Sequence, residues 1–289
     1  MSPLPQPLYY DSHMHTPLCK HARGEPEEYA ETALLRGLKG IIFTCHSPMP
    51  DGWWPQVRMD ISEMDEYVEM IERTRQTYAG LLDVRMGMEM DFFPGFEGWV
   101  KSLNERYDFH HVLGSVHFFG QDYKSRFWKG DITAFQKQYF SHLAESAETG
   151  LFDTLAHPDL VKNLQPHDYH FERIEEHLAH CLDRIAATGV AMELNTSGRH
   201  KVVPQFNPGP EMLTMMQQRG IPVVLGSDSH VPHRVAADFG DALDALEAAG
   251  YTKVSHFLSR KRLDLTITGV RSSLVAIGST VAIGARVAN

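Results

Sequence analysis

The sequence predicts an α/β barrel, and three observations carry that prediction. Seven or eight apolar segments of strand length alternate with helical segments along the chain, an order that calls for a parallel sheet with helical outer layers. Ionisable residues fall repeatedly at the C-terminal ends of those strand segments, where a (β/α) barrel builds its active site. No linker-like stretch interrupts the series, so most of the 289 residues read as one large domain.

The first strand, about residues 8–15, carries YYDSHMH. Side chains alternate along a strand, so Asp11, His13 and His15 share one side while Ser12 and Met14 share the other. His21 follows in a loop that can fold back. A helix over 25–38 opens on Glu25, Pro26, Glu27 and Glu28, residues suited to a first turn. Its Ala30, Ala33, Leu34 and Leu38 supply an apolar face. In GIIFTCHS, Ile41, Ile42 and Phe43 form a run rather than an alternation, as in a strand buried on both faces, ending at His46. Residues 48–60 are a loop whose Trp53 and Trp54 either cap the core or cover a site. A charged amphipathic helix at 61–79 leads to a strand at 83–93, with Glu89 near its end and Gly87 suited to a close backbone approach.

A short helix at 95–105 precedes HHVLGSVHFF, a strand ending at His117 and Phe118. A loop with Arg126, Trp128 and Lys129 then leads to a helix at 131–149. The strand in FDTLAHPD ends at His157, and a helix at 168–188 follows. VAMELNTS ends in Asn195 and Ser197, with Arg199 and His200 just behind. A helix at 208–219 leads to IPVVLGSDSH, ending in Asp228 and His230. A helix at 234–249 and strand-like segments near 253–257 and 262–268 complete the series. The tail is small, apolar and poor in charge, and too short between its arginines for a spanning helix of about 20 residues. It reads as an outer strand, an oligomer contact or a disordered extension. The expected division is a barrel over 1–269 and an extension over 270–289.

Composition narrows the function. A net charge of −10 argues against a protein whose main work is holding nucleic acid. With 43% hydrophobic and 22% charged residues, the chain resembles an ordinary soluble protein with a sizeable core. Cys19, Cys45 and Cys181 make no disulfide framework, which favours a reducing, cytoplasmic setting. MSPLPQPL lacks the basic start and apolar run of a signal peptide. The compositional oddity is seventeen histidines.

His13, His15, His46, Glu89, His117, His157, Asp228 and His230 end strands, and His21 joins them from the first loop. Each alone is weak, since a histidine closing a buried strand is usually a satisfied core residue. A barrel rim would gather all nine into one cavity, where desolvation and repulsion make such a cluster costly without metal. Nine donors exceed one ion's needs and suit three, if some bridge and water completes the shells. Zinc, iron and manganese all tolerate these donors. Three divalent cations against two carboxylates leave a positive centre able to hold a phosphate dianion inside an acidic protein. Arg199 is the foremost candidate phosphate binder, because its fork suits phosphate bidentately; Arg126 and Arg23 are candidates from neighbouring loops. Trp53 and Phe118 either line the pocket or pack in the core.

These residues carry a family resemblance. DSHMHTPLCKHARG, TCHSP, GMEMDFFPG, GSVHFF, AHPD and GSDSH resemble, in order, the motifs of the polymerase and histidinol phosphatase (PHP) superfamily. GSVHF together with HTPLCKHARG is closest to its monofunctional histidinol-phosphate phosphatases. The likeness covers about residues 9–268. It implies a distorted (β/α)7 barrel, TIM-like, with a trinuclear site at the C-terminal ends of its strands. His13, His15, Glu89 and Asp228 would hold one ion. Glu89 would bridge to a second ion on His117 and His157, and His21, His46 and His230 would hold the third. Asp11 would stand behind the ligands and orient a histidine. The implied reaction is hydrolysis of L-histidinol phosphate in histidine biosynthesis by in-line attack of a metal-bound hydroxide, with Asp228 or His230 contributing the proton for the leaving alkoxide. The implied partner is a small phosphorylated metabolite, not nucleic acid or membrane. Two other readings stay open: a phosphoesterase of the same superfamily acting on nucleotides, nucleic-acid ends or phosphotyrosine, and a non-catalytic metal-binding protein.

Overall fold

The computed structural model describes residues 7–275. Its parallel strands are β1 (Tyr10–Asp11), β2 (Gly40–Phe43), β3 (Asp83–Met86), β4 (Met88–Asp91), β5 (Val112–Ser115), β6 (Thr154–Leu155), β7 (Ala191–Asn195) and β8 (Val223–Gly226). Strands β9 (Lys253–Leu258) and β10 (Lys261–Thr266) follow as an antiparallel hairpin. Its turn is Ser259–Arg260, both residues at positive φ, the geometry that matches the twist of a two-residue hairpin. The helices are α1 (Pro26–Leu35), α2 (Met64–Thr77), α3 (Glu97–Arg106), α4 (Gln121–Phe127), α5 (Ile132–Glu148), α6 (Phe171–Thr188), α7 (Pro210–Gln218), α8 (Phe239–Ala248) and α9 (Ile267–Ser273).

Pairing runs β1–β2–β3 in one set and β4–β5–β6–β7–β8–β9–β10 in the other. Short bridges join the two sets into a ring at the C-terminal ends: His46 pairs with Glu89, and Met14 pairs with Ser229. With β3 and β4 taken as one bent strand, the ring is a distorted (β/α)7 barrel. Its opposite end is splayed, because β8 turns there from β1 to β9, pairing Val224 with Ser255. Tyr9 spans the gap: its hydroxyl donates to the Ser255 carbonyl at 2.7 Å and accepts from the Leu225 N–H at 2.9 Å. All residues of β2, β4, β5, β7 and β8 are buried, the charged Glu89, Asp91 and Glu193 included, as strands covered on both faces require.

Local chemistry accounts for the helices. α1 starts with a reciprocal capping box between Glu25 and Glu28, with Pro26 in the first turn. α6 buries Ile174, Leu178, Cys181, Leu182 and Ile185, a stripe at helical spacing. All three cysteines are free and buried. No helix among the described residues is long and apolar enough to cross a membrane.

Several expectations change. The strand expected over 83–93 is two strands hinged at Gly87. A Cβ there would collide with the His111 carbonyl oxygen and lie 2.9 Å from Thr44 Cγ2, so the close approach is to the segments flanking β5 and β2 rather than to a metal. The loop expected around Arg126 contains α4, and the helix expected from 234 begins at Phe239. The boundary expected at 269/270 falls inside α9, where Ile267 and Val270 are buried, and the Val275 N–H still donates to the Arg36 carbonyl at 2.9 Å. The rest of the expected extension, from 276 on, lies outside the described residues.

Candidate metal centre

The nine side chains named from the sequence meet at the closed end of the barrel, around Glu89. One carboxylate oxygen, Oε2, faces His46 Nδ1 at 2.9 Å, His13 Nε2 at 3.4 Å and His15 Nε2 at 3.6 Å. The other, Oε1, faces His157 Nε2 at 2.9 Å and His117 Nε2 at 3.6 Å, and accepts from the Ser115 hydroxyl. Asp228 Oδ1 lies 3.3 Å from His15 Nε2 and 3.6 Å from His13 Nε2. His21, His46 and His230 form a third cluster, the His21 and His230 rings being 4.5 Å apart. Asp228 and His157 both adopt positive φ, at 49° and 29°. Such backbone costs about 1–3 kcal/mol per residue and collects at functional sites.

The donor set fits cations, because it does not satisfy itself. His13 Nε2, His15 Nε2 and His230 Nε2 are buried with no hydrogen-bond partner, and His46 Nδ1 and Glu89 Oε2, although 2.9 Å apart, are not aligned as a hydrogen bond. Unpaired buried polar atoms are rare, and each costs about 1–3 kcal/mol. Electrostatics points the same way. Burial drives His46 down to about 4, with Glu89 offsetting it in part. Burial also penalises protonated His13, yet Glu193, Glu89 and Asp228 outweigh that and hold its pKa well above the ordinary value. Glu89 is penalised by burial too, but His46, His13 and His117 keep it ionised. Cations between neutral imidazoles and ionised carboxylates satisfy all of these groups together.

A layer of polar residues behind the donors fixes their orientation. Glu193 on β7 takes His13 Nδ1 at 2.7 Å, the His157 backbone N–H at 2.8 Å and Asn195 Nδ2 at 3.0 Å. Asp91 on β4 holds His117 Nδ1 at 2.7 Å and accepts from Arg58 Nη1 at 2.7 Å. Burial acts against the Asp91 carboxylate, but Arg58 and His117 hold its pKa below the usual range. Arg58 and Asp91 are both buried, so Arg58→Ala leaves an uncompensated charge beside His117. The expected loss is about 3–5 kcal/mol of stability, measured by urea denaturation of the metal-loaded protein; an unchanged midpoint would contradict it.

Asp11 has a different task from the one expected. Its carboxylate accepts backbone N–H groups from His13 at 3.3 Å, Ser227 at 3.1 Å and Ala236 at 2.8 Å, tying β1 to the loop after β8. The residue that orients the His13 ring is Glu193.

The cavity above the donors measures about 270 Å³ and is lined by Trp54, Val57, Arg58, Phe119 and Lys201 besides the histidines and Asp228. None of the three expected arginines lines it. Arg199 leaves its turn toward α8, where it pairs with Asp238 and Asp241 and covers the Phe206 ring at 5.4 Å. Arg126 stacks on Phe93 and Phe127. Arg23 is exposed, and only its backbone N–H reaches the site, donating to the His230 carbonyl. The cation at the mouth is Lys201, with Nζ 3.7 Å from Asp228 Oδ2. Trp53 caps the core against Phe93 and Phe96, whereas Trp54 faces His117. Phe118 is buried against Tyr139, and its neighbour Phe119 takes the wall position.

Comparison with known proteins agrees with this geometry. The model of the PHP domain matches residues 11–197. A probable histidinol-phosphatase of Deinococcus radiodurans is 38% identical over 257 residues, covering 87% of this chain and 97% of the relative. A histidinol-phosphatase of Bacillus subtilis is 30% identical, covering 81% of this chain and 97% of the relative. The solved structure of a histidinol phosphate phosphatase from Lactococcus lactis, complexed with zinc, L-histidinol and phosphate, superposes with a TM-score of 0.75 at 19% identity, over 88% of this chain and 98% of that one. Two carboxylates and seven histidines gathered on the rim of a seven-stranded barrel, together with these matches along nearly the whole described chain, place the protein in the PHP domain family.

Proposed function

We propose that this protein is a metal-dependent phosphomonoesterase that hydrolyses L-histidinol phosphate to L-histidinol and phosphate. The observation that carries the reading is the set of unpaired donor atoms at the floor of a small cavity with an ammonium at its mouth. The relatives from Deinococcus radiodurans and Bacillus subtilis, which bear the histidinol-phosphatase name, support the choice of substrate.

In this reading His13, His15, Glu89 and Asp228 would hold one cation, and Glu89, His117 and His157 a second. His21, His46 and His230 would hold the third. Bound cations supply an activated water at neutral pH and neutralise charge on the phosphoryl oxygens. The chain's own residues do the rest. Lys201 lines the cavity and meets the phosphate charge in place of Arg199, Arg126 and Arg23, which do not line it. Ser197 donates to Asp228 Oδ2 at 2.8 Å, leaving Oδ1 turned toward His13 and His15. His230 is fixed through Nδ1 on the Asp228 carbonyl at 3.1 Å, so Nε2 faces inward. Trp54 and Phe119 exclude water from one wall of the cavity.

The test is a substrate panel on the protein reconstituted with zinc, iron or manganese: L-histidinol phosphate, phosphotyrosine, nucleoside monophosphates and a nucleic-acid diester. The expected result is a clear preference in kcat/KM for L-histidinol phosphate. Equal turnover across the panel would overturn the substrate, and no turnover with any metal would overturn the enzyme.

A further inference from the structure

We propose that the buried Lys162–Asp159 ion pair is a positioning device for phosphate recognition, fixing the segment 201–209 so that Lys201 stands over the metal centre. The proposal rests on the reading of Lys201 as the cation that meets the phosphate. Asp159 follows His157 by two residues, and Lys162 lies in the 3-10 turn Leu160–Asn163. Both residues are almost fully buried, at 2% and 1% exposure. Neither lines the cavity above the donors.

The polar atoms of the pair meet the loop after β7. Lys162 Nζ donates to Asp159 Oδ2 at 2.9 Å and to the Phe206 carbonyl at 2.6 Å. The same Asp159 oxygen accepts the Gly209 N–H at 2.8 Å. Asn163, next to Lys162, accepts the Val203 N–H at 2.9 Å through Oδ1. One short turn thus holds three backbone groups of 203–209, the stretch that begins two residues beyond Lys201.

That hold reaches Lys201 through packed backbone. Asn207 exchanges both backbone hydrogen bonds with Asn195, the last residue of β7, at 2.7 and 3.1 Å. A Cβ on Gly198 would collide with the Asn207 side chain and the Gln205 carbonyl, so the turn Thr196–His200 lies directly on 205–207. Lys201 closes that turn. Its N–H donates to the Gly198 carbonyl at 3.0 Å, and its Nζ comes within 3.7 Å of Asp228 Oδ2. A buried ion pair gains little stability over an apolar pair of the same size, and its best-attested use is to fix register. Residues 201–209 form no extended ladder that would set their own register, and the pair supplies it.

The experiment titrates inorganic phosphate into the zinc-loaded full chain by calorimetry, so that it does not depend on turnover. Lys201→Ala is expected to weaken phosphate binding about 10–100-fold, the loss of one charged contact. Lys162→Met is expected to reproduce most of that loss, while zinc affinity, measured by chelator competition, stays parental. Asp159→Asn combined with Lys162→Met removes both charges and keeps an acceptor for Gly209; it serves if the single variant fails to fold. In the Lys201→Ala background neither change is expected to weaken phosphate binding further, because both act through the same ammonium. A pair that only stabilises the fold would lower the melting temperature and leave phosphate affinity parental, which overturns the proposal. Fully additive losses overturn it too, as does a matching loss of zinc affinity, which would place the effect on His157. Parental phosphate affinity in Lys201→Ala removes Lys201 from phosphate binding and the positioning role with it. Turnover of L-histidinol phosphate is scored separately. An inactive parent that shows this coupling on phosphate overturns the substrate and leaves the role of the pair standing.

Discussion

Glu89→Gln is expected to give a folded protein that has lost part of its metal and nearly all of its activity. The two carboxylate oxygens face different groups of histidines: Oε2 faces His13, His15 and His46, and Oε1 faces His117 and His157. An amide keeps the shape and removes the charge shared between the two groups. Its nitrogen also presents donors where lone pairs are needed, whichever way it is turned. Removing one preorganised contact to developing charge typically costs about 10²–10³ in kcat, so loss of a carboxylate that faces both groups of histidines is expected to exceed ~10³-fold. Elemental analysis of the purified variant should show fewer metal equivalents per chain than the parent, with turnover of L-histidinol phosphate falling in step. A variant with full metal content and parental turnover would remove Glu89 from the centre of the site. Circular dichroism separates this result from misfolding, because glutamine matches glutamate in volume and the Ser115 hydroxyl retains a partner.

The same geometry explains what was legible in the sequence. Strand-end histidines are visible because each closes an apolar run, and the barrel rim then brings them together whatever the details of the helices. Asp91 and Glu193 follow the same alternation and were within reach. Asp91 is two residues past Glu89 on the same face, and Glu193 is the one charged residue of β7. A carboxylate in a fully buried strand always needs a partner, and here Asp91 has His117 and Glu193 has His13. Lys201 and Arg58 were not legible. Both come from irregular loops, where no periodicity says which way a side chain points. Arg199 shows the converse. It follows the right strand, but the 3-10 turn over Thr196–His200 swings it to the acidic start of α8. The bend at Gly87 was hidden as well, because the collision that demands glycine is with the carbonyl of His111, just before β5, a contact of tertiary structure.

Glu193→Gln is expected to weaken metal binding and kcat about 10–100-fold although Glu193 faces no open metal position. Three donors converge on its carboxylate: the His13 ring on Oε1, and the His157 N–H and the Asn195 amide on Oε2. A glutamine has one acceptor oxygen for the two positions. If that oxygen serves His157 and Asn195, the amide nitrogen faces His13 Nδ1. His13 must then accept at Nδ1 and carry its proton on Nε2, the nitrogen that faces Glu89 and Asp228. If the amide is reversed, its N–H groups oppose the His157 backbone N–H and the Asn195 amide. A buried donor is then unsatisfied, at about 1–3 kcal/mol. Neither orientation preserves both the His13 tautomer and the His157 backbone. Gly226 provides an independent approach from the other side. A Cβ there would collide with Glu193 Oε1 and lie 2.8 Å from His13 Cβ, so Gly226→Ala displaces the carboxylate without changing its charge. Zinc titration of chelator-treated protein should show both variants weakened, with Glu193→Gln the better folded of the two by thermal melting, since it adds no volume to a packed interior. Parental zinc affinity in Glu193→Gln would mean that His13 holds its tautomer without Glu193.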